Sequence, residues 1–525
     1  MNALAQTVEA AEIDVVELTI ADVQRGFADG SFTSETLTLA FLARIERYEP
    51  YYNAFTFMNP GALADAQAID ARRAAGETLG PLAGVPVVIK EAMDFVGLPS
   101  TAGWAPLSSA AGGFDLMPER DAPVVARLKA AGAIILGKTN IPAFSRDGTR
   151  ANTSWDGPTY NAVDRAIAPG ASSSGTATAI AGSFAVVGLA EETGGSIQNP
   201  GAAQSLISVK PTFALIPNSG VAPLAGSTRD VVGPHAKTVT DAALLLDVLA
   251  GYTSEDPKTV ASIGMIPEAG YTSKLSRTAL NGARVGLYGA GWRTKPLSAE
   301  AQTLYAAAIA EVKARGAILI EDPFLGTDFS SLASGDEFDL RGLESMPHDF
   351  ENFLRRMGPS AKASSLAALA ALLEVNPFSP EGPLGMHLVQ PVLKKSLENP
   401  ALPPDLSEFL AARVAYLKTF NSVMKQHNLD VLIFPQMSAE LPGIFGTEDY
   451  PATTVSEINI AGLPGVTVPA GKFANGSPFA LILIGPMWSE AELLGYAYDY
   501  EQATAHRIVP ALEETFYADA PRAVE

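Results

Sequence analysis

Cysteine is missing from all 525 residues. That excludes a disulfide framework, a thiolate nucleophile and any cysteine-based metal site. Histidine is scarce too. His235, His348, His387, His427 and His506 form no HExxH arrangement and no local pair at ligand spacing, so no metal or other cofactor is expected. Positive charge is in deficit: 36 Lys and Arg stand against 57 Asp and Glu, for a net charge of −21. Such a surface repels phosphate backbones and anionic lipid, so neither nucleic acid nor a membrane is an expected partner. No apolar run approaches the ~18 residues of a membrane span. The opening "MNALAQTVEAAEIDVVEL" lacks a basic stretch followed by an apolar core, and a cytoplasmic location is the expectation.

What the chain does have is core material, with 47% hydrophobic residues. Residues 1–12 read as a loose terminus, and the remainder, 13–525, as one large domain. Two short helices come first, the second with Leu37, Phe41, Ile45 and Tyr48 at helical spacing behind a Thr33 or Ser34 cap. Apolar runs then alternate with helical stretches: "PVVIK" (86–90), "AIILG" (133–137), "RVGLYG" (284–289), "AILIED" (317–322), "DVLIFP" (430–435), "GVTVPAG" (465–471) and "ALILIG" (480–485). Runs that are apolar throughout indicate strands buried on both faces. The expected fold is therefore α/β: a central mixed, mostly parallel sheet with helices on both faces. Segment 340–410 reads as a helical insertion packed on that sheet.

Two Gly/Ser stretches carry the chemical interest: "APGASSSGTA" (168–177) and "AEETGGSIQNPGAAQ" (190–204). Neither matches a phosphate-binding loop, and "GASSS" fails the GxSxG elbow because Ser174 stands where the second glycine belongs. A Ser-His-Asp triad stays open, since its members need only meet in space. Lys90 offers another base. It ends an apolar strand, where burial favours the neutral amine over the ammonium. It can also snorkel to the sheet edge or pair with Glu91 or Asp94.

Three stretches together, "GPLAGVPVVIKEAMDFVGLPSTAG" (80–103), "APGASSSGTATAIAG" (168–182) and "EETGGSIQNPGAAQSLISVKPT" (191–212), resemble the amidase signature family. The similarity continues through 220–251 and returns at 459–471 and 481–502. The resemblance implies the amidase signature fold and a Ser–cisSer–Lys set. Matched motif to motif, Lys90 is the lysine, Ser172 the bridge and Ser196 the nucleophile, 24 positions beyond Ser172 (196 − 172). Ser173 and Ser174 are the rival bridges, and the family's spacing disfavours both. The resemblance also implies a cis peptide before Ser172. Backbone N–H groups of Thr193, Gly194, Gly195 and Ser196 can converge on the oxyanion of a tetrahedral intermediate. Ser173 and Gln198 are the candidates for touching substrate. Three departures stand out: Gly170-Ala171-Ser172-Ser173-Ser174-Gly175 replaces Gly-Gly-Ser-Ser-Gly-Gly, Glu192 replaces Asp, and Gln198 replaces Arg.

The activity this implies is cofactor-free hydrolysis of a small-molecule amide by a monomer or homodimer. Hydrophobic or aromatic amides are expected, with esters and carbamates as alternatives. Two rival readings are a glutamine amidotransferase subunit for tRNA-dependent amidation and a non-catalytic binding protein of the same fold.

Overall fold

The computed structural model describes residues 13–333 and 338–517. The stretch 1–12, expected to be a loose terminus, lies outside them. Helix Ile20–Asp29 and helix Ser34–Tyr52 open the fold. Thr33 caps the second, its hydroxyl accepting from Thr36 N–H, and Leu37, Phe41 and Ile45 are buried on one face.

Eleven strands form one sheet: β1 (Phe55–Met58), β2 (Pro86–Lys90), β3 (Ile134–Thr139), β4 (Val187–Glu192), β5 (Ile207–Lys210), β6 (Val231–Ala236), β7 (Arg284–Leu287), β8 (Ile318–Ile320), β9 (Val431–Pro435), β10 (Gly465–Lys472) and β11 (Pro478–Ile484). Their order is β1-β3-β2-β4-β6-β5-β10-β11-β9-β7-β8. Every residue of β2, β3, β4, β5, β6, β9 and β11 is buried. Successive side chains point to opposite faces, so both faces of these strands are covered.

The fold is thus a single large α/β domain around a mixed sheet. The proportion of parallel pairing differs from expectation: of ten neighbouring pairs, four are parallel and six antiparallel. Continuous apolarity reports burial on both faces, and it carries no information on strand direction.

Among the described residues, no strand lies between β8 and β9. Helices Met346–Arg356, Leu366–Leu372 and Pro391–Glu398 lie in segment 340–410. Arg356 joins it to the body by an ion pair with buried Asp94 at 3.1 Å. No helix of the described residues is long and apolar enough to cross a membrane.

Candidate active site

β2 and β4 run parallel, with Val87 opposite Val187 and Ile89 opposite Leu189. Their carboxyl ends therefore reach the same edge, where open α/β sheets commonly build their sites. This register sets Lys90, the last residue of β2, beside Glu191 near the end of β4.

Lys90 is fully buried. Its Nζ donates to Ser172 Oγ at 2.7 Å, to the Glu191 carboxylate at 2.6 Å and to the Glu191 carbonyl at 3.1 Å. Three acceptors match the three donors of an ammonium group. The Glu191 carboxylate, equally buried, offsets the cost of holding that charge away from water. Neither of the partners considered from sequence is used. Glu91 instead accepts from Thr101 N–H and lies 3.9 Å from Lys138, while Asp94 accepts from Ser100 and pairs with Arg356.

Ser172 arrives from the loop that precedes helix Ser174–Ala181, and the Ala171–Ser172 peptide bond is cis. The three consecutive serines have separate partners. Ser172 meets Lys90. Ser173 Oγ donates to the Glu191 carbonyl at 3.1 Å and accepts from Glu191 N–H at 3.3 Å, while Ser174 Oγ donates to the Gly170 carbonyl at 2.6 Å.

Strand alternation turns Glu192 to the face opposite Glu191. Glu192 accepts from Ile197 N–H (2.8 Å), Gln198 N–H (3.1 Å), Gln198 Nε2 (2.5 Å) and Asn459 Nδ2 (2.8 Å). It thereby pins the start of helix Gln198–Ala203. Ser173 and Gln198, the two candidates for touching substrate, are both fully buried, with Ser173 Oγ bonded to Glu191 and Gln198 Nε2 to Glu192.

Between β4 and that helix runs Thr193-Gly194-Gly195-Ser196. Gly195 has φ +87°, and an added Cβ would lie 2.7 Å from Asn199 Nδ2. At Gly194 a Cβ would lie 2.2 Å from the Phe338 ring. Both places admit only glycine without rearrangement. Among the described residues, the N–H groups of Gly194, Gly195 and Ser196 donate to no other group. Thr193 Oγ1 donates to Asp230 Oδ1 at 2.6 Å. Burial, and next the charge of Glu191, push the Asp230 carboxyl well above the usual carboxylate range.

A cavity of about 690 Å³ opens over this turn, with Thr193, Gly194 and Ser196 in its wall. Ser196 is only 5% exposed. Leu340, Leu343, Met386 and His387, from segment 340–410, also line it. His387 reads as a surface or structural residue in the sequence, which gives no signal that it faces this cavity. Its burial, and then the nearby Arg146 charge, press its pKa down to about 4, so it is neutral near pH 7. His235 is buried and bonded to the Ile197 carbonyl at 2.9 Å, and burial likewise presses it down to about 4.

Comparison with known proteins matches the Amidase family description to residues 36–494. The chain belongs to the amidase signature family. Among its relatives, a glutamyl-tRNA(Gln) amidotransferase subunit of Synechococcus sp. (strain CC9605) is 31% identical, over 94% of this chain and 97% of that protein. A crystal structure of an amidase family protein from Bacillus anthracis str. Ames superposes with a TM-score of 0.79 and 26% identity, covering 97% of this chain and 96% of that one. Native peptide amidase from Stenotrophomonas maltophilia gives 0.75 and 29%, covering 95% and 99% respectively. This amidase signature chain and those two solved structures thus share one architecture along nearly their whole lengths.

Proposed function

We propose that this chain hydrolyses the C–N bond of small-molecule amides through an acyl-enzyme on Ser196, without partner subunits or a cofactor. The observation that carries the reading is the buried Lys90–Ser172 hydrogen bond at 2.7 Å, on the same sheet edge as a cavity walled by Ser196. An unassisted serine hydroxyl is a poor nucleophile near neutral pH. In the relay, Lys90 as the amine takes the proton of Ser172, and Ser172 takes that of Ser196. Ser196 Oγ then bonds to the carbonyl carbon, and the Thr193, Gly194, Gly195 and Ser196 N–H groups receive the resulting oxyanion. The proton now on Lys90 returns by way of Ser172 to the leaving nitrogen as the C–N bond breaks, since Ser196 Oγ is by then bonded to carbon. Water, activated by the same relay, releases the acid.

Leu340, Leu343 and Met386 give the cavity an apolar side, which supports a hydrophobic or aromatic substrate group and a substrate-facing role for the 340–410 insertion. Esters and carbamates fit the same oxyanion site. Ser196→Ala is expected to abolish turnover in a panel of primary amides, anilides, peptide amides, carbamates and esters, with the thermal midpoint nearly unchanged. Retention of more than a small fraction of wild-type kcat on the best amide sinks the assignment.

The 31% identity to an amidotransferase subunit favours a second reading, release of ammonia for a partner. Amide hydrolysis by the purified chain alone separates the two, because that reading requires partner subunits for activity.

A further inference from the structure

Glu191 is the residue that sequence motifs did not connect to the relay. Its carboxylate lies 2.6 Å from Lys90 Nζ, in an ion pair whose side chains are 0% and 2% exposed. Its own backbone accepts from the same Nζ and is clamped on both sides by Ser173 Oγ. The carboxylate thus has a fixed origin. Its other oxygen lies 3.4 Å from Thr193 Oγ1, whose hydroxyl also reaches Asp230. A polar chain therefore runs from Ser172 through Lys90 and Glu191 to Thr193, which lines the cavity along with Ser196.

We propose that Glu191 is a positioning residue for the relay, holding Lys90 Nζ on Ser172 and setting the pH at which Lys90 gives up its proton. This inference rests on the relay reading of Lys90. A carboxylate in contact stabilises the ammonium over the amine in a site closed to water. Two opposite consequences follow. In the resting enzyme the carboxylate retains the proton on Lys90, so more base is needed to generate the amine. During acylation, when Lys90 receives the proton of Ser172, the same carboxylate stabilises the ammonium that forms. No atom is exchanged with Glu191: the proton travels between Ser196, Ser172 and Lys90, and the carboxylate keeps its charge.

The other charged or titratable groups around the pair come from three neighbouring segments. Glu192 follows on β4 but turns to the opposite face and is occupied by four donors. On β6, His235 is depressed by burial and by the Lys90 charge, so it is neutral over the working range. Asp230, just ahead of β6, feels the charge of Glu191 and accepts from Thr193 and from Leu224 and Ala225 N–H. Glu91, next to Lys90 on the chain, faces Thr101 and Lys138. Of these carboxylates, Glu191 is the one in contact with Lys90 Nζ.

The test is the pH profile of kcat/KM on a good amide for wild type, Glu191→Gln, Glu191→Asp and Lys90→Ala. Glu191→Gln is expected to move the midpoint of the rising limb about 1–3 pH units toward acid and to lower the plateau. Glu191→Asp keeps the charge one methylene short, so its midpoint should stay near wild type while its plateau falls. A lowered plateau with an unmoved midpoint in Glu191→Gln leaves Glu191 a packing residue and overturns the proposal. If the Gln variant does not fold, an Asp variant with a wild-type plateau overturns it, as does one with a midpoint shifted by a unit or more. Lys90→Ala keeps the two questions apart. A rising limb that survives in that variant removes the relay reading itself. A limb lost there yet unmoved in Glu191→Gln removes only the role of Glu191.

Discussion

Lys90 terminates a strand that is apolar until it arrives, and its three hydrogen bonds explain how a cation is tolerated there. If Lys90 is the base of the proposed relay, it is indispensable where the leaving group must be protonated. An amine anion is a very poor leaving group, whereas an activated alkoxide or phenoxide departs unaided. Lys90→Ala is therefore expected to cut kcat/KM severely on an amide and less on a matched activated ester. Lys90→Arg should not restore activity, because arginine remains protonated at every working pH. Equal losses on amide and ester would remove Lys90 from proton transfer. Removing one member of a buried pair typically costs about 3–5 kcal/mol, so a folded fraction measured by circular dichroism must accompany the rates. The residue stands out in sequence because a charge at the end of an apolar run is conspicuous, while its relay role comes from the family resemblance. Glu191 does not, since an acidic residue before a glycine turn resembles any solvated loop carboxylate. Only the parallel register of β2 against β4 brings the two together.

The β4–turn–helix unit shows what local sequence can and cannot announce. "TGGS" marks a tight turn by composition alone, and the structure supplies the reason: φ +87° at Gly195 and no room for a Cβ at either glycine. Gly195→Ala is expected to destabilise by about 1–2 kcal/mol through the left-handed backbone and to displace Asn199. If the turn is the oxyanion site, kcat on an amide should also fall by ~10²–10³-fold, the effect typical of losing one donor. Chemical denaturation and kcat on the folded enzyme decide it: a variant that loses stability but keeps kcat makes the turn structural only. Strands singled out for continuous apolarity, among them β2, β9 and β11, form as read. β4 and β6 escaped notice because "VGLAEE" ends in two acids and "VVGPHA" contains a proline. Both acids are buried by partners remote in sequence, Lys90 for Glu191 and Asn459 for Glu192. The placement of His387 in the cavity wall escaped for a similar reason, since the path of segment 340–410 depends on contacts such as Arg356–Asp94.

At the scale of the whole molecule, the interior holds many ionisable groups, and their burial makes stability depend on pH with a definite sign. Burial raises Glu49 to about 8 and Glu501 to about 7. A carboxyl raised this way is protonated in the folded state over a range where the unfolded chain has released its proton. Stability is therefore full near pH 4.5 and is lost as pH climbs through the folded values. His235 and His387, lowered from 6.5 to about 4, act in the opposite direction, but only below pH 6.5. Lys210 and Lys237, lowered from 10.5 to about 8, add stability as pH rises from about 8 towards 10.5. Above about 10, buried tyrosines such as Tyr288, raised from 10.0 to about 12, begin to remove it again. From pH 6.5 to 8 the carboxyls act with little opposition from these histidines and lysines, so the thermal midpoint should fall there and turn upward above 8. The loss should be about 2 kcal/mol, given ~1.4 kcal/mol per unit of separation, or roughly 2 °C for a chain of this size. Scans at constant ionic strength and fixed heating rate between pH 6.5 and 9.5 measure it. Glu49→Gln should flatten the descending arm, because it removes the group with the highest folded value among these two carboxyls. A midpoint that rises steadily from pH 6.5 to 8 would show that these carboxyls are ionised in the folded enzyme, with water or a counter-charge reaching them in the interior.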